Sequence, residues 1–401
     1  MKPYLRSVGI IFFLIMSGIG AFNFFVDPLL LFHYKDSGSE KLSRIEQFLN
    51  MRLYKPLHVN EKKPDAIIIG TSRSGTIRAR HPEWKGLRAY NFSMPGMTIY
   101  ELSRSVQHAQ ANQPLQKLMI GLDYNTIISP EPLYRSGFEP ARMAQFPNDF
   151  YSAELIAQKL RDLQTLLLSY EMLSASTLAL AKTSPGIRKY HADGSWERLG
   201  NRLTGRGGYI YVARNTLTAW KKAVLRPEEN IAILKNLLNF CYRNDIETRL
   251  FFTPMHSFIL DLWFRMSPEE LWRDTYKQIV TINAELAEQY DRPPFPIWGF
   301  ANEEQAVSEP IYFARQIDQA WFNDGLHYRA KMAESIMEAM WGPSSGFGQQ
   351  LTVSTVNDYL DTVDSLRDTF VKSNKSLVSQ LHQKIGEEFS NMQPLYIMDA
   401  P

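Results

Sequence analysis

The sequence predicts an α/β fold: a parallel sheet flanked by helices, with one N-terminal transmembrane helix, a mostly helical insertion and a helical C-terminal tail. Three observations lead there. Ala66-Ile67-Ile68-Ile69 is a short apolar run closed by Gly70, as expected of a strand buried on both faces, and such strands belong to parallel sheets covered by helices. Strand, turn and helix patterns then follow in succession, which argues for a doubly wound sheet. Ahead of them, Ser7 to Val26 runs for about twenty residues without a charge, enough for one membrane-spanning helix.

Lys2 and Arg6 precede the uncharged run, so the positive-inside rule puts the N-terminus in the cytoplasm and the rest of the chain outside. Gly18-Ile19-Gly20-Ala21 offers the alternative of a cleaved signal peptide. Apolar character continues through Phe24, Phe25 and Leu29-Leu30-Leu31-Phe32, which favours a retained anchor over residues 1–35.

Ser37-Gly38-Ser39-Glu40 reads as a turn, followed by an amphipathic segment with Leu42, Ile45, Phe48 and Leu49. After the first strand, Arg73 to Trp84 reads as a loop or short helix over the sheet edge. Ala89 to Ser93 is a second strand, and Thr98 or Ser93 caps a helix from Ile99 to Gln110. Gln116 to Asp123 is a third strand. Residues 131–227 read as an insertion: helical periodicity from Asp149 to Thr183, then a Gly- and Arg-rich loop around Gly200 to Tyr211. Long inserted segments in compact domains are often functional, so a lid or substrate-facing cap is expected. A helix from Glu228 to Arg243 feeds a fourth strand, Glu247 to Thr253, which ends at Pro254-Met255-His256. A helix from Pro268 to Glu288, a last strand around Pro296 to Phe300 and a helix from Arg329 to Met340 complete a domain over residues 36–342. Residues 343–401 are linker and tail. Val356, Leu360, Val363, Leu366, Phe370, Leu377 and Leu381 place one or two amphipathic helices on the domain or on a partner protein.

Composition excludes several classes. With 44% hydrophobic and 21% charged residues the chain is not globally disordered. A net charge of +2, with no basic block interleaved with aromatics, gives no nucleic-acid signature. The single cysteine, Cys241, excludes an internal disulfide and a cysteine-based zinc site. A strand followed by a glycine turn also opens nucleotide-binding units. Gly70 to Gly75 lacks the Gly-x-Gly-x-x-Gly spacing, however, and no P-loop Lys-Ser/Thr follows. No cofactor or metal is expected.

Ser72 lies three residues past Ile69, at the carboxyl edge of the first strand, where open α/β sheets carry their working groups. A nucleophilic serine needs a base, a carboxylate to orient it and donors for the oxyanion. Asp324 and His327, three apart in a turn that runs into a helix, can supply the first two from one side of the chain. The plainer alternative makes Ser72 and Asp324 helix caps. His256, also at a strand end, is a candidate substrate contact or a structural histidine. Arg73, a candidate substrate contact, and Arg78 can hold an anionic sugar or phosphate or be solvated loop residues, and Trp196, Tyr209, Tyr211 and Trp220 can stack on sugar rings or pack.

The order of these blocks resembles the SGNH (GDSL-like) hydrolase superfamily. Gly70-Thr71-Ser72-Arg73 is similar to its nucleophile block, Gly96 to its second-block glycine, and Asp324-Gly325-Leu326-His327 to its last block. The third block departs. Gly121-Leu122-Asp123 carries an aspartate where the family has asparagine, so Asn125 becomes the candidate third oxyanion donor if the loop bends, and Asp123 a further candidate substrate contact. The nearest likeness is to membrane-anchored bacterial members related to alginate O-acetylation and to D-alanyl transfer onto teichoic acids. The resemblance implies an SGNH/flavodoxin-like fold and a serine esterase or O-acyltransferase anchored in the bacterial inner membrane. It would use Ser72, His327 and Asp324, with oxyanion donors from Ser72, Gly96 and Asn125. Its domain would face the periplasm or exterior, and it would act on an acylated polysaccharide or other envelope acyl ester. A catalytically inactive scaffold of this type, binding a glycan or an envelope protein through the tail, is the alternative; Asp123 and the tail favour it.

Overall fold

The computed structural model describes residues 2–32, 51–129, 132–181, 188–198, 205–220, 225–267, 269–311, 319–343 and 346–385. The expected amphipathic segment over 42–49, the first part of the Gly/Arg-rich loop and the tail past 385 lie outside them.

Helix α1 (Lys2–Val26) is followed by α2 (Met51–Lys62), β1 (Ala66–Ile69), β2 (Ala89–Asn91), α3 (Ile99–Asn112), β3 (Lys117–Leu122) and the short α4 (Tyr124–Ile128). Between β3 and the next sheet strand come α5 (Ala153–Leu168), α6 (Tyr170–Leu180), the hairpin β4 (Arg188–Tyr190) and β5 (Trp196–Arg198), α7 (Gly205–Trp220) and α8 (Pro227–Arg243). The chain continues with β6 (Glu247–Phe252), α9 (Ser257–Met266), α10 (Glu269–Gln289), β7 (Ile297–Gly299), α11 (Glu304–Val307), α12 (Ala330–Trp341), β8 (Gln349–Leu351), α13 (Val356–Ser373) and α14 (Lys375–Ile385).

The main sheet has the order β2-β1-β3-β6-β7-β8, parallel throughout except for the antiparallel last pair. Its centre reads as expected from the sequence. All four residues of β1 are fully buried, and each isoleucine so placed contributes roughly 2 kcal/mol. The chain leaves β1 toward β2 on one side and returns through α3 to β3 on the other. That reversal opens a crevice beyond the carboxyl ends of β1 and β3. Thr98 caps α3 through a reciprocal box, accepting from Glu101 N at 3.1 Å while the Glu101 carboxylate accepts from Thr98 N at 3.2 Å.

Four elements depart from expectation. The Gly/Arg-rich loop is already helix α7 by Gly205, because Tyr209, Val212, Ala213 and Leu217 form one buried face, so packing outweighs the glycine cost. The hairpin β4–β5 folds within the insertion. Helix α9 starts directly after Met255, capped by His256. Directly after the Gly-rich linker comes β8, which pairs with β7 and leads the tail back onto the domain, where Tyr359, Leu360, Val363 and Phe370 of α13 are buried with contacts to α9 and α10. The tail's apolar face is therefore taken up by the chain itself.

Residues Pro3–Val26 of α1, with a mean hydropathy of 2.1, form a helix long and apolar enough to cross a membrane.

Candidate active site

Gly70 and Gly121 face each other across β1 and β3, and the Ser74 hydroxyl lies between them. A Cβ at Gly70 would come within 2.8 Å of the Gly121 carbonyl oxygen, so only glycine permits this approach. The chain then turns through Thr71 and Ser72 into a 3-10 turn over Ser74–Thr76. Asn91, at the end of β2, pins that turn by donating from Nδ2 to the carbonyls of Ser74 and Ile77, both at 2.8 Å. Met94 N donates to the Gly70 carbonyl, tying the loop that carries Gly96 to the turn that carries Ser72.

The structure brings the three expected catalytic residues together across 255 positions of sequence. Ser72 Oγ lies 2.9 Å from His327 Nε2, and His327 Nδ1 lies 2.9 Å from Asp324 Oδ2. Asp324 is 1% exposed, and its Oδ1 also accepts from the amides of Leu326 at 3.1 Å and His327 at 2.7 Å. An acceptor-only carboxylate fixes the proton of His327 on Nδ1, which leaves the Nε2 lone pair for the serine hydroxyl. Ser72 and His327 are both partly open to solvent, so the reacting atoms are reachable. The strand-like bridge between Phe322 and Tyr328 closes the turn, and His256 N donates to the Gly325 carbonyl at 2.8 Å from outside it.

Asp123 is not in the cleft. Its Oδ2 accepts from Thr71 Oγ1 at 2.5 Å and lies 3.4 Å from Arg73 Nε, while its Oδ1 accepts from Thr253 Oγ1 at 2.7 Å. Arg73 Nη1 donates to Thr253 Oγ1 at 2.7 Å. Asp123 and Arg73 are 4% and 2% exposed, so this is an enclosed ion pair beneath the nucleophile turn rather than a pair of substrate contacts. The guanidinium compensates the charge of the carboxylate. Asn125 stands at the start of α4, partly exposed, with Oδ1 3.5 Å from Arg73 Nη2. Gly96 is exposed, with φ +59°, a conformation glycine adopts without cost. Among the described residues, Ser72 N, Gly96 N and Asn125 Nδ2 donate to no protein acceptor.

His256 is structural. Its Nδ1 accepts from Phe258 N at 3.1 Å, capping α9, so Nε2 carries the proton and donates to the Glu309 carbonyl at 2.8 Å. Burial pushes its pKa down to about 4. Arg78 pairs with Asp193 of the β4–β5 hairpin at 3.0 Å. Trp196 is buried against Gly75, and Tyr209 is buried against Gly325, so both aromatics pack under the turns that carry Ser72 and His327 instead of stacking on sugar. Tyr211 is exposed.

Sequence reasoning missed the supports. Thr71 and Thr253 complete the Asp123–Arg73 cluster; their only signal was a hydroxyl just past the ends of β1 and β6, the strands on either side of β3. Lys55 was also missed. Fully buried, its ammonium donates to the carbonyls of Asn91, Ser93 and Gly194 at 2.7–2.8 Å and lies 4.7 Å from the Trp196 ring, joining α2, β2 and the hairpin. Burial pulls its pKa well below the ordinary lysine range. Nothing in the charge pattern of α2 distinguishes it from a solvated lysine.

No protein-family model matches the chain, and no curated protein matches it.

Asp123 gives a direct test of the enclosed pair. Asp123→Asn restores the asparagine of the resembled block but leaves Arg73 buried without a counter-charge. The expected result is a loss of about 3 kcal/mol in urea unfolding with no gain in esterase rate. Unchanged stability with faster turnover would contradict the placement of Asp123 below the turn.

Proposed function

We propose that the chain is a serine esterase or O-acyltransferase of SGNH type, with a flavodoxin-like sheet, anchored by α1 and acting on acyl esters of an envelope or exported polysaccharide. The observation that carries this reading is the continuous relay from Ser72 Oγ through His327 to the buried Asp324, with hydrogen bonds of 2.9 Å at each step. The strand order, with Ser72 at the reversal between β1 and β3, supports it. So do the three unengaged donors at Ser72, Gly96 and Asn125.

In the proposed reaction Ser72 Oγ attacks the ester carbonyl carbon while His327 Nε2 takes the hydroxyl proton. The carbonyl π electrons move onto oxygen, where the donors receive the charge. The intermediate collapses with cleavage of the bond to the alkoxy group, which takes the proton from His327 and leaves. The acyl group on Ser72 is then passed by the same steps in reverse to water or to a sugar hydroxyl, with His327 as base toward the incoming O–H. Asp324 steadies the imidazolium in both halves without taking its proton. The basic flank ahead of α1 supports the exported location.

A chase experiment separates the two outcomes for the acyl group. The chain is loaded with p-nitrophenyl acetate and then given water alone or an unacylated polysaccharide. Acetyl appearing on the sugar and lost by Ser72→Ala identifies a transferase, and acetate released at the same rate with and without sugar identifies an esterase. Absence of acyl turnover in folded protein would refute both.

A further inference from the structure

Helix α5 carries apolar side chains on its exposed side as well as on its buried one. Its buried face carries Leu155 and Leu166 together with Gln158 and Asp162, with Asp162 held by Arg142 through two bonds of 2.7 Å and Gln158 donating to the same carboxylate. Its open face carries Ile156, Leu160 and Leu163, which are 46%, 65% and 42% exposed and spaced as one helical stripe. The next helix repeats the theme. Over its eleven residues α6 has one charge, Glu171, and Leu178 and Leu180 are exposed. Large apolar side chains in register along an exposed helix side, repeated on its neighbour, mark a surface that meets something other than water.

What covers it is indicated by where the pair docks. The junction of α5 and α6 sits on the C-terminal part of α1: Asn23 is fully buried, donates to the Leu167 carbonyl at 2.8 Å and accepts from Ser176 Oγ at 2.7 Å. Leu168 lies against Gly20. At 1.5 Å rise per residue, Gly20 to Val26 occupies roughly the last 10 Å of the span, within the outer half of a bilayer about 30 Å thick. Lys159 and Arg161 flank the stripe, as basic residues do beside anionic headgroups.

We propose that α5 and α6 form a second, interfacial membrane contact, seated beside α1 with the stripe of Ile156, Leu160 and Leu163 against lipid. This rests on α1 being the membrane anchor. Two contacts fix the orientation of the domain relative to the bilayer, where a single helix would leave it free to turn.

The test uses the full chain reconstituted in phosphatidylcholine–phosphatidylglycerol vesicles, with a bimane probe on a cysteine introduced at one position per variant. The variants are Leu160→Cys and Leu178→Cys on the pair, Phe12→Cys on α1 and Asp358→Cys on the exposed side of α13. Lipids bearing doxyl quenchers should extinguish the Leu160, Leu178 and Phe12 probes and leave the Asp358 probe bright. Bright probes at 160 and 178 beside a quenched probe at 12 would overturn the interfacial contact and leave the anchor standing. A blue-shifted but unquenched signal at 160 and 178 would overturn it too, in favour of coverage by protein. A bright probe at 12 would overturn the anchor itself, and the interfacial contact with it.

Discussion

Ser72→Ala is expected to lower kcat/KM for p-nitrophenyl acetate by at least ~10⁴-fold, with the urea midpoint unchanged. A serine, histidine and aspartate acting as one relay lose most of their effect with any one of them, so roughly 5.5 kcal/mol of transition-state stabilisation disappears with the hydroxyl. His327→Ala should cost about as much, and the double variant scarcely more, because each removes the same nucleophile from use. Asp324→Asn is the sharper probe. Its carboxamide can turn an N–H toward His327 Nδ1, which forces the ring proton to Nε2 and blocks the serine, for a loss of about 10⁴-fold with little change in fold. A Ser72→Ala rate within tenfold of the parent would assign the turnover to some other group.

The second large effect is on stability in acid. His58, His108 and His256 are fully buried, and burial pushes their pKa values from the ordinary 6.5 down to about 3, 4 and 4. Each is bonded as a neutral ring: His58 to Tyr90 and to the Leu29 carbonyl, His108 to the Pro56 carbonyl and the Ala144 amide, His256 as described. Folded pKa values below the unfolded one mean that the unfolded chain binds more protons between about pH 6.5 and 4. The stability these rings contribute is complete above pH 6.5 and drains as pH falls below it. Near pH 5 unfolding should take up about three protons from them, a slope of ~4 kcal/mol per pH unit. One such unit is comparable to the whole stability of a modest domain. Urea midpoints of the detergent-solubilised chain at pH 7, 6 and 5 read this slope, and His108→Gln should reduce it by about one proton. A slope below one proton would show that these rings are protonated in the folded state.

The candidate site was legible where local chemistry is written in contiguous residues. Ile67 to Ile69 and Gly70 announced a buried strand and a tight edge, and Asp324 and His327 lie within one turn. Their union with Ser72 was legible only through chain order, since nothing local connects residues 255 positions apart. Asp123 looked like a defect because its partners, Arg73 and Thr71 after β1 and Thr253 after β6, come from two other strand ends and meet it only in the folded sheet. Lys55, Trp196 and Tyr209 were illegible for the same reason: their burial is decided by elements folded within the insertion. Helix α7 was hidden by its glycines, and the exposed stripe on α5 by its ordinary helical period, which does not say which face is inside.

The central claim is that Ser72 is a nucleophile activated by His327. Peptide mass spectrometry after treatment of the full chain with a fluorophosphonate tests it most directly. Phosphonylation should map to Ser72, with the adduct absent in Ser72→Ala and formed far more slowly in His327→Ala, while both variants keep the parent's urea midpoint. An unmodified Ser72 in folded parent protein, or equal labelling in His327→Ala, would contradict the claim.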